Sequence, residues 1–386
     1  MSEKKSGPLF HLAQRRSMPR LQRWGVRLLG VLCGMIVCAV IILLFTDLDP
    51  VTVFRTMIEA NYGGSDIQFA YRLKTFWTTV RDTVTLLLVA LALAPAFRMR
   101  FWNIGGEGQI LVGGLATAAV MKLMGDAVST PVLYVCMIGA SMLAGLIWGV
   151  LPAFFKAHWN TNETLFTLMM NYIAIQLVSA FSILWEAKKG SGVIGVINKT
   201  TKAGHMPTIL TEVFGSGNYI IHVLMVLALC VAVYVYMTYT KHGYELSVVG
   251  ESENTARYAG IDIKKVIIRT MMISGALCGL AGFLLVSGSS HTISTSTADG
   301  RGFTAIIVAW LGQLNPIFML IISYFLVFMD YGARGVATVC RLNSSFSDII
   351  TGILLFFILG SEFFIRYRVI FRGRKKEPAA AVKGGM

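Results

Sequence analysis

The sequence predicts an all-α membrane protein, a polytopic helical bundle of about ten transmembrane helices with both termini cytoplasmic. Three observations predict it. Of the 386 residues, 55% are hydrophobic and only 14% are charged, against about 25% charged in an ordinary soluble domain. The apolar residues fall in blocks about twenty long, the length of helix that spans a bilayer core. Lysine and arginine gather at the two ends: seven lead into the first apolar block, from Lys4 to Arg27, and seven follow the last, from Arg366 to Lys383. Basic flanks are held on the cytoplasmic side, where anionic lipid headgroups are a natural partner. The same distribution explains the net charge of +14 without nucleic acid, whose binding domains concentrate basic charge on one face.

The elements follow in order. Residues 1–25 read as a cytoplasmic basic segment. The first span lies near 26–45; its apolar run is too long for a signal peptide, and no cleavage site follows it. Further spans fall near 77–97, 106–124, 131–154, 164–184, 219–239, 267–288, 303–313, 316–333 and 346–366. The transmembrane domain is thus 26–366, and 367–386 is a basic cytoplasmic tail whose Pro378-Ala379-Ala380-Ala381 stretch reads as disordered. Segment 303–313 is short for a crossing. It is either a half-helix or joined to its neighbour at the bend Asn315-Pro316. An even number of crossings keeps both basic ends on one side. Connections 98–105, 155–163 and 240–266 are then cytoplasmic and carry Arg98, Arg100, Lys156, Lys241, Arg257, Lys264 and Lys265, while 46–76 and 289–302 are acidic or nearly neutral. Segment 185–218 has four lysines and runs against this trend. The bias sums over all loops, so it is read as an external loop.

Small residues recur at helical spacing: Ser274-Gly275, Gly279 and Ala281-Gly282 on one segment, Gly145 and Gly149 on another. Hydrophobicity does not drive helices together in lipid, so close backbone contact must. These positions predict packing and carry no information on substrate. The six cysteines lack a CxxC or pairing pattern and read as small apolar residues.

Polar residues inside apolar blocks are the candidates for function. Asn103-Ile104-Gly105-Gly106-Glu107-Gly108-Gln109 opens a span with three polar side chains and three glycines. A carboxylate at membrane depth is costly unless paired or facing water, so Glu107 either faces the bundle interior or caps its helix at the cytoplasmic interface. Asn162-Glu163 suits a helix N-terminus. Asn171 sits mid-span, where an amide needs a partner; a neighbouring helix is favoured over a solute. In 240–266, a helix of about two and a half turns is expected between Gly250 and Gly260, with Glu251 and Glu253 at its start and Gly260 as its C′ residue. It is either a contact for another protein, with small Ala256 and Ala259 entering a groove, or a solvated surface helix.

The chain has no G-x-x-x-x-G-K-[ST] and so no P-loop of its own. Gly190-Ser191-Gly192-Val193-Ile194-Gly195 matches G-x-G-x-x-G, but it follows a membrane span instead of a strand and reads as chance. The six histidines have no metal spacing, and no catalytic constellation stands out. A proton-coupled transporter would need an intramembrane carboxylate relay, for which Glu107 is the one deep candidate.

Taken together, Asn103–Gln109, Asn162-Glu163 with Asn171-Tyr172, Gly250 with Asn254 and Ala256–Ile261, Ser274–Gly282, and Gly302-Phe303-Thr304 with Val308–Gly312 and Asn315-Pro316 resemble the permease subunits of ABC importers of the ribose and branched-chain-amino-acid type. Within these the chain is most similar to nucleoside permeases that work with basic-membrane-lipoprotein-type binding proteins. The resemblance covers about 75–365, and Trp310 departs from it. It implies a second permease chain, often a non-identical relative, and two cytoplasmic ATPase subunits that bind ATP and magnesium, with no cofactor in this chain. It also implies an external binding lipoprotein, which loop 185–218 is placed to meet. Asn103, Glu107, Gln109 and Asn171 would lie along the translocation path, and Gly250, Asn254, Ala256, Arg257 and Gly260 would couple to the ATPase. Simple-sugar and flavin permeases share the same pattern.

Overall fold

The computed structural model describes residues 10–15, 18–45, 49–64, 69–215, 218–339, 341 and 343–371. Lys4, Lys5 and Arg16 of the basic N-terminal segment, Cys340, and the tail from Arg372 onward, including Pro378, lie outside the described residues. Fourteen α-helices are present among them: α1 Arg20–Phe45, α2 Pro50–Tyr62, α3 Phe69–Arg98, α4 Gly106–Met124, α5 Thr130–Trp159, α6 Glu163–Leu184, α7 Thr211–Phe214, α8 Ile220–Tyr239, α9 Lys241–Glu251, α10 Glu253–Tyr258, α11 Ile263–Leu285, α12 Arg301–Leu311, α13 Pro316–Val339 and α14 Ser344–Arg366. A π-helical turn, Val286–Ser290, extends α11. Two short strands, β1 Phe10–Gln14 and β2 Tyr367–Phe371, are the departure from the all-α expectation.

All ten expected spans are helical. Eight of the helices are long and apolar enough to cross a membrane. The two that fall outside that set are instructive. Helix α4 has sufficient length but is rich in glycine and alanine and is buried along most of its course, so protein surrounds it where lipid would otherwise lie. Helix α12 has eleven residues, a rise of about 16 Å, roughly half of a 30 Å hydrocarbon core. The 303–313 segment is therefore a half-helix, ended by Gly312 before Asn315-Pro316.

The chain divides into two units, residues 1–55 with 337–386 and residues 56–336; both boundaries fall inside the 26–366 segment. In the first unit α1 and α14 run antiparallel. Arg27 meets Glu362 at 3.1 Å, Gly30 lies against Ser361, Gly34 against Leu354 and Phe357, and the Cys38 thiol donates to Ile350 O. Strands β1 and β2 pair antiparallel beyond these helices, from Phe10 opposite Phe371 to Gln14 opposite Tyr367.

The second unit is built around α3 and α11, whose apolar windows are almost wholly buried, while α5, α6 and α8 expose most of theirs. The small residues seen in the sequence meet one another. Gly275 lies against Gly145, Gly279 against Ser141 and Gly113, and Gly149 against Met271 and Gly275. A Cβ at Gly149 would sit 2.8 Å from Met271 O, so glycine sets how closely the helices approach. Segment 185–218 is largely irregular, with α7 its one helix among the described residues. It is pinned to the end of α11 by Ile197 N–H to His291 O, Met206 N–H to Ser287 O and Ser287 Oγ to Gly204 O. The G-x-G-x-x-G match is a glycine turn in which Gly190 and Gly192 donate to the Glu186 carboxylate; those bonds hold that carboxyl below its usual range.

Candidate functional site

The 99–108 segment is the centre of the site. A tight turn, with Arg100 at φ 59° and Phe101 N–H bonded to Ala96 O, carries the chain from α3 back into α4. Glu107, in the first turn of α4, reaches α12. Its two carboxylate oxygens accept from Gly300 N–H and Gly302 N–H, each at 2.8 Å. These amides belong to the first turn of α12, whose own N-cap position is Gly300 and supplies no side chain. Glu107 thus caps a neighbouring helix and places a carboxylate on the positive end of its dipole. The Gly302 position requires glycine, because a Cβ there would lie 2.7 Å from Glu107 Cα.

This junction lies within the span. Gly106 packs on Leu93, five residues and about 7 Å inside the end of α3 at Arg98. From the start of α12, Arg301 reaches Asp82 at 3.4 Å, sixteen residues and about 24 Å from Arg98.

The other three expected path residues knit the same junction. Asn103 Nδ2 donates to Ser274 Oγ on α11, and its Oδ1 accepts from Gly105 N–H and Gln109 Nε2. Asn171 on α6 accepts from Gly108 N–H at 2.8 Å and donates to Ile104 O at 3.0 Å. Thr167 accepts from Ile104 N–H. Asn103, Gln109, Asn171 and Glu107 are 0%, 1%, 2% and 6% exposed. Most of their polar atoms are taken by protein, and the structure brings the four together in one buried junction. The interhelical reading of Asn171 and the interior position of Glu107 hold.

Nearer the other end of α3 is a charged cluster whose members the sequence reading did not bring together. Asp82, 5% exposed, accepts from Arg81 Nε at 2.8 Å and Tyr331 OH at 2.6 Å, and pairs with Arg301. Arg81 also donates to Tyr219 OH and lies over that ring. The available signal was Arg81-Asp82 inside one apolar block with Arg301 heading another. Charges in spans are rare and find one another.

In the 240–266 connection the single helix expected from Gly250 to Gly260 is two. Helix α9 ends at Glu251, and Ser252 caps α10, its Oγ accepting from Thr255 N–H. Gly260, at φ 75°, occupies C′ as expected, with Gly260 N–H to Arg257 O and Ile261 N–H to Ala256 O, the paired bonds of a Schellman end. Two placements differ from expectation. Ala256 is fully buried with Met99, Phe101, Leu246 and Met271, so it faces inward and enters no partner's groove. Gly250 is buried against Arg98 and Met99. Glu253, Asn254, Arg257 and Tyr258 are exposed, and Glu253 and Arg257 line a cavity of about 440 Å³ with Lys156, Asn160 and Asp262. Asp262 caps α11, and the backbone hydrogen bond from Lys265 holds its carboxyl below the usual range.

Comparison with known proteins decides the family. The model described as branched-chain amino acid transport system / permease component matches residues 76–359. The chain belongs to this ABC permease family. Among its relatives, a glucose ABC transporter permease protein of Haloferax volcanii is 28% identical over 97% of this chain and 98% of its own. A guanosine ABC transporter permease protein of Bacillus subtilis is 32% identical over 75% and 82%. A nucleoside ABC transporter permease protein of Lactococcus lactis is 26% identical over 86% and 90%. No solved structure matches the permease. It is a multi-pass membrane protein, as its eight apolar helices require.

Proposed function

We propose that this permease forms, with a second and non-identical permease chain, the membrane path of an ABC importer for nucleosides. Separate ATPase subunits bind ATP and magnesium and dock on the 240–266 connection, and an external binding lipoprotein delivers the solute. The observation that carries this reading is a continuous packed route. The exposed edge of α10 would meet the ATPase; its inner face, through Ala256, packs on Met99 and Phe101. That turn leads to Glu107, and Glu107 holds the start of α12. A push on α10 is thereby transmitted to a half-helix inside the span. In this reading Asn103, Glu107, Gln109 and Asn171 keep the route rigid, Asn254 and Arg257 touch the ATPase, and Gly250, Ala256 and Gly260 shape the element that carries them.

The guanosine and nucleoside permeases among the relatives support the substrate class. The Haloferax relative favours a second reading, a simple-sugar permease, because it matches almost the whole chain. ATP-dependent uptake of labelled guanosine, uridine, ribose and glucose, by cells with and without this gene, separates the two. Loss of nucleoside uptake alone is expected. Loss of ribose or glucose uptake alone overturns the nucleoside reading, and uptake driven by a proton gradient while ATP is depleted overturns the ABC mechanism.

A further inference from the structure

Helix α13 is long and apolar enough to span a membrane, yet it carries Asp330 and Arg334 with side chains 40% and 56% exposed. They pair at 3.1 Å, and Arg334 also reaches Asp299 at 3.1 Å. Exposed charges on a span are not tolerated against lipid; they face protein or water. Asp299 leads directly into a cavity of about 330 Å³ between the end of α11 and the start of α12, within the range of roughly 300–1,000 Å³ for small-molecule sites. Six of its nine lining residues are serine or threonine, and Asp299 and Arg301 are two of the others. The hydroxyl of Thr292, one of the six, is buried without a hydrogen-bond partner among the described residues.

The geometry points to this cavity as the solute site of the permease, one that reads vicinal hydroxyls on a neutral solute and so takes a nucleoside by its sugar. The inference rests on the nucleoside reading above and deepens it. Hydroxyls both donate and accept, so a wall of serines and threonines matches a polyol in several orientations, as a site that must also release its cargo requires. Asp299 accepts from two adjacent hydroxyls, while Arg301, held from behind by Asp82, donates to a ring oxygen. Asp299 is balanced by Arg334 and Arg301 by Asp82, so the wall carries no unbalanced charge, which disfavours ionic solutes. None of the nine lining residues is aromatic, so no stacking surface selects the base, and purine and pyrimidine nucleosides are accepted alike. Arg301 also begins the half-helix that Glu107 caps, which puts the site at the end of the packed route from α10.

The test is thiol labelling of Ser296→Cys in the assembled transporter, held in lipid nanodiscs so that a charged reagent reaches both faces. Val135→Cys, on an exposed apolar position of α5, is the lipid-facing comparator, and the parent protein sets the background. Ser296→Cys is expected to react at least about tenfold faster than the comparator, as a thiolate forms in water and not in lipid. Uridine and guanosine should slow it several-fold, and 2′,3′-dideoxyuridine should not. A rate no faster than the comparator, no protection by any solute, or equal protection by the dideoxy compound each overturns the site. Protection by ribose but not by uridine keeps the diol site and overturns the nucleoside reading. Thr292→Val, which removes one hydroxyl at nearly constant volume, is expected to weaken uridine protection about tenfold; unchanged protection counts against that wall.

Discussion

Replacing Glu107 by alanine should loosen the start of α12. The side chain accepts two charge-assisted hydrogen bonds from backbone amides in a site only 6% exposed. Leaving the two N–H groups unpaired, Gly302 buried and Gly300 part-buried, costs about 1–3 kcal/mol each. Removing the charge from the helix dipole adds about 0.3–2 kcal/mol. The sum is about 2–8 kcal/mol, enough to populate an open first turn without unfolding the unit. Hydrogen exchange of the purified permease, read on peptides covering 299–306, should accelerate by at least tenfold, with uptake falling in parallel. Glu107→Gln keeps one acceptor and should fall between the two. Should Glu107 instead bind solute, both variants would lose uptake with exchange across 299–306 unchanged, and the capping role would be refuted.

Four further outcomes follow from the same structure. Gly302→Ala drives a methyl against Glu107 and should cost about 1–3 kcal/mol by overpacking, read as a lower melting temperature in detergent. Asp82→Asn strands Arg81 and Arg301 beside each other and should destabilise by about 3–5 kcal/mol; an unchanged melting temperature would show the cluster to be wet. Ala256→Asp should lower the melting temperature of the isolated permease, whereas Arg257→Glu should leave it unchanged and reduce ATPase co-purification. Burial, with repulsion from the His205 ring stacked on it at 3.9 Å, holds the His291 imidazole below its ordinary value of 6.5. The unfolded state then binds more protons, so stability is full above about pH 6.5 and falls as pH drops toward the folded value. Protease cleavage within 197–206 should increase between pH 7.5 and 5.5 and be insensitive to pH in His291→Gln.

The positions of the helices were legible because a span is a property of composition over twenty residues, which a single chain displays openly. The glycine stripes marked residues that pack closely, and the structure supplies the partners, Gly145 against Gly275 among them. The partners of the polar residues were not legible. Glu107 and Gly302 are separated by 195 positions, and nothing local to either names the other. A glutamate at the head of a span looks the same whether it awaits a solute or caps a distant helix. The split of the 250–260 helix was missed because Glu251 and Glu253 both suit a first turn, while Ser252 between them, a strong N-cap residue, was passed over. Ala256 was misplaced because alanine fits an exposed helix face and a tight interior equally well. The β1–β2 pair left no pattern to read in so short a stretch.

The pairing of α1 with α14 sets a clock on biogenesis. Arg27 and Glu362 are 335 residues apart, and at about 5–20 residues per second their partnership waits on the order of 20–70 s after α1 leaves the ribosome. During that time Arg27 has no carboxylate from α14, and the glycine face of Gly30 and Gly34 is open to any small-residue face that passes. The intervening helices can assemble first, from α3 to α13. The first span to be made is thus among the last to be finished, and variants at Arg27 or Gly30 should show their harm in the yield of inserted protein more than in the behaviour of the permease once folded.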